Sequence, residues 1–230
     1  MLLLVTVLAA NPAAARVVSG SYTGDGSTNR PITGLGFRPA VVIVKGDLAE
    51  TGVIRTDIYQ PGNSKQMCAP AMEITDGIMD FTADGFTVDQ GVEVNSTGVV
   101  YHWVALSSDP GTLDTGYYWG DGTSDRWLTG VGFRPEVVMV FRRNGAPVQF
   151  RTADMQTDFS TSFEAVGLYN NHIRDFAPDA FRLGSDSAVN GPAGEYAYIA
   201  LNADAAKVVH GIYNGSAPAE QDIGPLGFGP

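Results

Sequence analysis

The sequence predicts an all-β protein built as two tandem antiparallel β-sandwich domains, and three observations carry that prediction. The chain repeats itself. Gly20-Ser-Tyr-Thr-Gly-Asp-Gly26, Arg30, Thr33-Gly-Leu-Gly-Phe-Arg-Pro39 and Val41-Val-Ile-Val44 return as Gly116-Tyr-Tyr-Trp-Gly-Asp-Gly122, Arg126, Thr129-Gly-Val-Gly-Phe-Arg-Pro135 and Val137-Val-Met-Val140. The later part of the unit returns too: Phe81-Thr-Ala-Asp-Gly-Phe86, Val94-Asn95 and Tyr101-His-Trp103 become Phe176-Ala-Pro-Asp-Ala-Phe181, Val189-Asn190 and Tyr196-Ala-Tyr198. The spacing is 96 residues in the first part (Arg30 to Arg126) and 95 in the second (Asn95 to Asn190), which is a whole domain rather than a solenoid turn. Second, the apolar segments are short, rich in β-branched and aromatic residues, and bounded by Gly, Asp, Asn or Pro. Third, no window holds a 3.6-residue apolar period over three turns.

In order along the first copy, strands are expected at Val17–Thr23, Ala40–Lys45, Gly52–Ile58, Ile78–Phe81, Phe86–Val88 and Val99–Leu106. Gly24-Asp25-Gly26 is an Asp-Gly turn, and Arg38 is driven to an extended conformation by Pro39, which delivers the chain into the next strand. Ala40–Val44 is continuously apolar, and Val99–Leu106 is apolar on both faces, so both read as central strands covered on two sides or packed at a domain contact. The second copy offers Gly116–Trp119, Glu136–Arg142, Pro147–Thr152, Phe181–Leu183 and Glu195–Leu201, with one helical turn expected within Asp158–Tyr169. Repeat 1 should span 16–110 and repeat 2 111–210, joined at Ser107-Ser-Asp-Pro-Gly-Thr112. A third copy opens at Gly211-Ile-Tyr213, so 211–230 reads as the start of a truncated third repeat.

Residues 1–15 read as a signal peptide, since the apolar run Leu2–Ala10 precedes Ala13-Ala14-Ala15, although no basic residue opens it. A secreted or cell-surface location follows, without membrane insertion, because the run is too short to span a bilayer. A net charge of −11 and the absence of any basic run argue against nucleic acid as a partner. The single cysteine, Cys68, excludes an intrachain disulfide framework and reads as a small loop residue.

Recurrence in both copies marks residues that serve the fold or a site carried by each copy. Three arginine pairs recur: Arg30 with Arg126, Arg38 with Arg134, and Arg55 with Arg151. Their planar forks could bind a sugar, carboxylate or phosphate, or could pin a loop. Asp25 with Asp121, Asp84 with Asp179, and Asn95 with Asn190 could ligate Ca²⁺ or cap turns; with no Asp-x-Asp-x-Asp-Gly loop present, capping is the expectation and no metal or cofactor is assigned. Among the aromatics, Tyr22 and Tyr118 alternate as core residues, whereas Trp119 and Trp127 belong only to copy 2 and flank its Asp-Gly turn, as an exposed contact would. Candidate ligand-binding residues are therefore Arg30, Arg55, Arg126, Arg151, Trp119 and Trp127. No nucleophile elbow, zinc helix motif, CxxC or phosphate loop occurs, so no catalytic residue is assigned.

The series Tyr22-x-Gly24-Asp25-Gly26, Gly36-Phe37-Arg38-Pro39-Ala40-Val41-Val42-Ile43-Val44-Lys45, Phe81-x-x-Asp84-Gly85-Phe86 and Tyr101-x-Trp103-x-Ala105 resembles a domain found in phage tail and other virion-associated proteins and in bacterial surface proteins. The resemblance implies a non-enzymatic structural or host-contacting module, virion-associated or surface-exposed. A weaker similarity, in the order Phe-x-Pro-x-Val-x-Val, Gly-Phe-x-Val and Trp-x-Ala, links the chain to H-type lectins. It implies a jelly-roll-like sandwich that oligomerises and binds sugars. The functional expectation is thus a structural or adhesive module contacting a cell-surface glycan or protein, as an oligomer or larger repeat assembly. Carbohydrate binding is the alternative, and glycoside hydrolysis a third reading.

Overall fold

The computed structural model describes residues 16–68, 72–164, 166–202 and 209–213. The expected signal peptide and nearly all of the expected third repeat lie outside them. The fold is an all-β sandwich in which every strand pair is antiparallel.

In the first half, β1 (Val17–Thr23), β2 (Arg30–Thr33), β3 (Val41–Gly46), β4 (Val53–Thr56), β5 (Ser64–Gln66), β6 (Glu73–Ile74), β7 (Ile78–Thr82), β8 (Gly85–Val88), the one-turn helix α1 (Val92–Asn95) and β9 (Val100–Leu106) follow in order. A long sheet runs β1-β9-β3-β4-β5-β6 and a short one β2-β8-β7. The second half comprises β10 (Leu113–Trp119), β11 (Arg126–Thr129), β12 (Val137–Arg142), β13 (Gln149–Thr152), β14 (Thr161–Ser162), β15 (Ile173–Ala177), β16 (Ala180–Leu183) and β17 (Glu195–Leu201). Its sheets run β10-β17-β12-β13-β14 and β11-β16-β15, the order of the first half without a counterpart to β6. The sequence repeat is thus a topological repeat.

Alternation along the central strands explains why both of their faces are apolar. Val42, Val44, Tyr101 and Ala105 point into the first sandwich with Phe86, Ile78 and Val88. Val138, Val140, Tyr196 and Ala200 do the same in the second, with Phe181 and Leu183. The opposite faces meet each other: Val41, Ile54 and Leu106 share one core with Val137, Phe141, Ile199 and Leu201. The long sheets therefore pack back to back, with Val41 and Leu106 and their counterparts Val137 and Leu201 in the one core. Polar links cross the same seam. The Val148 amide donates to the Met67 carbonyl at 2.9 Å, and the Thr115 hydroxyl donates to Asp57 at 2.7 Å. Glycine is required opposite the large core aromatics, since a Cβ on Gly20 would sit 2.6 Å from the Trp103 ring and one on Gly116 2.3 Å from Tyr198.

One local expectation is corrected. Among the described residues of 158–169, no helical turn forms. Asp158 has φ of +73°, its amide donates to the Arg174 carbonyl, and Thr161–Ser162 pair with β13 as strand β14. Among the described residues the one helix is the short α1, in a segment with no apolar periodicity to announce it. His102 on β9 faces solvent beside Asp47 at 3.3 Å.

Candidate functional site

The recurrent polar residues form two copies of one clasp. Asn95 is fully buried; its side-chain oxygen accepts from the Asp25 amide (3.1 Å) and the Arg30 guanidinium (3.1 Å), and its amide donates to the Ser27 carbonyl (2.8 Å). Asn190 repeats this with Asp121 (3.2 Å), Arg126 (3.0 Å) and the Thr123 carbonyl (2.9 Å). Arg30 and Arg126 also donate to the carbonyls of Thr23 and Trp119, and lie over the rings of Tyr22 and Tyr118. The Ser27 hydroxyl and amide, both donating to Asp25, hold its carboxyl below the usual carboxylate range. Asp84 and Asp179 cap in parallel: each accepts from two glycine amides, Gly34 and Gly36 or Gly130 and Gly132. The recurrent acids and amides are turn-capping groups.

Arg55 and Arg151 are buried, at 2% and 3% exposure. Arg55 donates to the carbonyls of Tyr59, Gln60 and Asn63, and Arg151 to those of Met155, Gln156 and Phe159. Burial pulls both guanidinium pKa values below the ordinary arginine range, opposed by Asp80 and Asp175 respectively. Each fork closes its own loop, and neither reaches solvent to meet a ligand.

The two tryptophans are exposed but lie on different sheets. Trp127, 43% exposed on β11, stacks under Arg182, which with Arg174 pairs to Asp125 and Asp158. Trp119, 50% exposed on β10, sits edge-to-face with Tyr117, 57% exposed, at a centroid distance of 6.2 Å. The structure thus brings Trp119 to Tyr117, a partner the sequence reading passed over, rather than to Trp127.

Tyr117 also lines a cleft of about 280 Å³ between the two halves. Ile58, Tyr59, Gln60 and Glu73 come from the first half, and Tyr117, Arg143, Glu195 and Ala197 from the second. Arg143 bridges the seam, donating to Glu73 at 2.5 Å and Glu195 at 2.7 Å, and these bonds raise its pKa above the usual arginine range. The Asn144 side chain accepts from the Glu73 amide at 3.2 Å. The Tyr59 ring stacks on Phe141, while burial and nearby Glu73 push its hydroxyl pKa upward. Gln60 recurs as Gln156, but Tyr59, Glu73, Tyr117, Arg143 and Glu195 do not recur, so a search by repetition passes over them. By repeat spacing, Tyr59, Glu73, Tyr117, Arg143 and Glu195 correspond to Met155, Leu168, Ser21, Asp47 and Val100. Among the described residues, no group of three or more His, Cys, Asp or Glu side chains is placed to hold a metal ion.

No curated protein and no solved structure matches the chain. Residues 17–110, the first repeat, match a family model described as a domain of unknown function (DUF7483).

Proposed function

We propose that the chain is a non-enzymatic binding module, secreted, surface-borne or virion-borne, that contacts a cell surface or another protein across the outer face of β10 and the adjoining seam. One observation carries this reading: Tyr117 and Trp119 stand exposed and in mutual contact beside a cleft. Single exposed apolar side chains are ordinary, but paired large aromatics at a cleft rim have the anatomy of an interface anchor. Their strand is the edge of its sheet, where backbone groups are free of a neighbouring strand on one side among the described residues.

The test is adsorption of the whole chain to intact bacterial cells and to insoluble cell-wall polysaccharide, beside a Tyr117→Ala/Trp119→Ala variant of verified fold. Saturable adsorption lost in the variant supports the reading. Equal adsorption by both proteins, or none by either, overturns it.

Carbohydrate binding is the second reading, favoured by planar polar side chains (Gln60, Glu195, Arg143) beside those aromatics. Glycoside hydrolysis has less support. Glu73 and Glu195 are both committed to one guanidinium, whereas a general acid needs the apolar isolation that keeps its proton.

A further inference from the structure

The Tyr59 hydroxyl is buried and has no hydrogen-bond partner among the described residues. Its ring is fixed by Phe141, and Glu73, Arg143 and Glu195 are the charges that act on it. An orphaned buried hydroxyl costs about 1–3 kcal/mol, and such groups are normally satisfied by solvent or by a ligand. Tyr59, the residue that carries the orphan, lines the seam cleft together with Gln60 and the exposed Tyr117.

Charge narrows the class of ligand. Arg143 is the cleft's only cationic lining residue, and two carboxylates already occupy it, so no free positive charge faces an incoming molecule. Glu73 and Glu195 leave the cleft with a net negative charge, which disfavours carboxylated or sulfated ligands. Hydroxyl groups that both donate and accept suit Tyr59, Gln60 and Glu195, and an apolar ring face suits Tyr117. The volume of about 280 Å³ lies at the small end of ligand clefts, which run from roughly 300 to 1,000 Å³. It holds one small ring rather than an extended chain.

We propose that the seam cleft binds a single uncharged sugar ring: Tyr117 stacks on its apolar face, and Tyr59, Gln60 and Glu195 hydrogen-bond its hydroxyls. The assignment rests on the reading of the chain as a binding module, and gives that module one sugar site per tandem: Gln60 recurs as Gln156, but Tyr59, Glu73, Tyr117, Arg143 and Glu195 are replaced by Met155, Leu168, Ser21, Asp47 and Val100.

The experiment is calorimetric titration of the whole chain with the methyl glycosides of glucose, galactose, mannose, N-acetylglucosamine and N-acetylgalactosamine, and with glucuronate and N-acetylneuraminate. The expected result is saturable binding of at least one neutral ring with a stoichiometry of one. Tyr117→Ala weakens it about tenfold, and the nearly isosteric Tyr59→Phe, which removes only the orphan hydroxyl, weakens it several-fold. Preference for an acidic sugar overturns the charge argument, and neutral-sugar binding untouched by both variants overturns the cleft. Failure of every sugar to bind a preparation that still adsorbs to cells through Tyr117 and Trp119 overturns the sugar class while the binding-module reading stands. Failure of adsorption as well overturns both.

Discussion

Tyr59 of the first half stacks on Phe141 of the second, with ring centroids 5.8 Å apart and planes inclined by 29°. The contact closes one end of the core that the two long sheets share, and it places the Tyr59 hydroxyl beside the Glu73–Arg143–Glu195 bridge. Packing and candidate site are therefore one feature: the apolar faces that join the halves also create the cleft between them.

Because the shared core draws equally on both halves, unfolding should be cooperative across them. Urea unfolding followed by tryptophan fluorescence, which reports Trp103 in the first half and Trp119 and Trp127 in the second, and by far-ultraviolet circular dichroism should give coincident single transitions. Phe141→Ala, which removes a fully buried ring from the shared core, should cost about 3–5 kcal/mol.

Arg55→Ala and Arg151→Ala should each destabilise the chain by about 2–4 kcal/mol, because each leaves three loop carbonyls without their donor. Lysine should rescue only part of the loss, since an ammonium cannot reproduce the planar fork. Denaturant midpoints of the four variants check this, and near-equal losses in the two halves are expected from the matching geometry.

The alternation of apolar residues was legible in the sequence. It made Val99–Leu106 a central strand covered on both faces, and the structure places β9 between β1 and β3 with Tyr101 and Ala105 facing one core and Leu106 the other. The short strands β2, β5 and β14 were not legible: Ser64-Lys-Gln66 and Thr161-Ser162 are polar segments recruited by pairing with a neighbour rather than by propensity. Recurrence found the capping clasp, where Asn95 and Asn190 do the same work twice. That filter was blind to Tyr59, Glu73, Tyr117, Arg143 and Glu195, whose value comes from a juxtaposition across the seam that neither repeat contains by itself.

Asn95→Ala and Asn190→Ala should each cost about 1–3 kcal/mol, as each strands buried groups of its clasp. Tyr59→Phe should behave in the opposite way. The hydroxyl has no partner to lose among the described residues, so stability should be unchanged or raised by up to about 1 kcal/mol. Thermal or urea denaturation distinguishes the two classes.

Acid should weaken the clasp. The carboxyl of Asp25 is held below the ordinary aspartate value by Ser27, so its contribution is fully present above that ordinary value and is lost as pH falls through the lower folded-state value. Asp114 has the opposite sign: burial raises its pKa, so its ionised form disfavours folding and protonation relieves that cost. Asp25→Asn should therefore flatten the acid limb of a stability-against-pH curve, and Asp114→Asn should raise stability near neutral pH relative to its value at pH 3.

Binding through the aromatic rim of the seam is tested by the adsorption isotherm of the whole chain on intact cells and insoluble cell-wall polysaccharide, beside Tyr117→Ala/Trp119→Ala with an unchanged urea midpoint. Saturable adsorption by the parent protein and at least a tenfold loss in the variant are expected. Undiminished adsorption by the variant, or a parent protein that adsorbs to neither surface, would contradict binding through that rim.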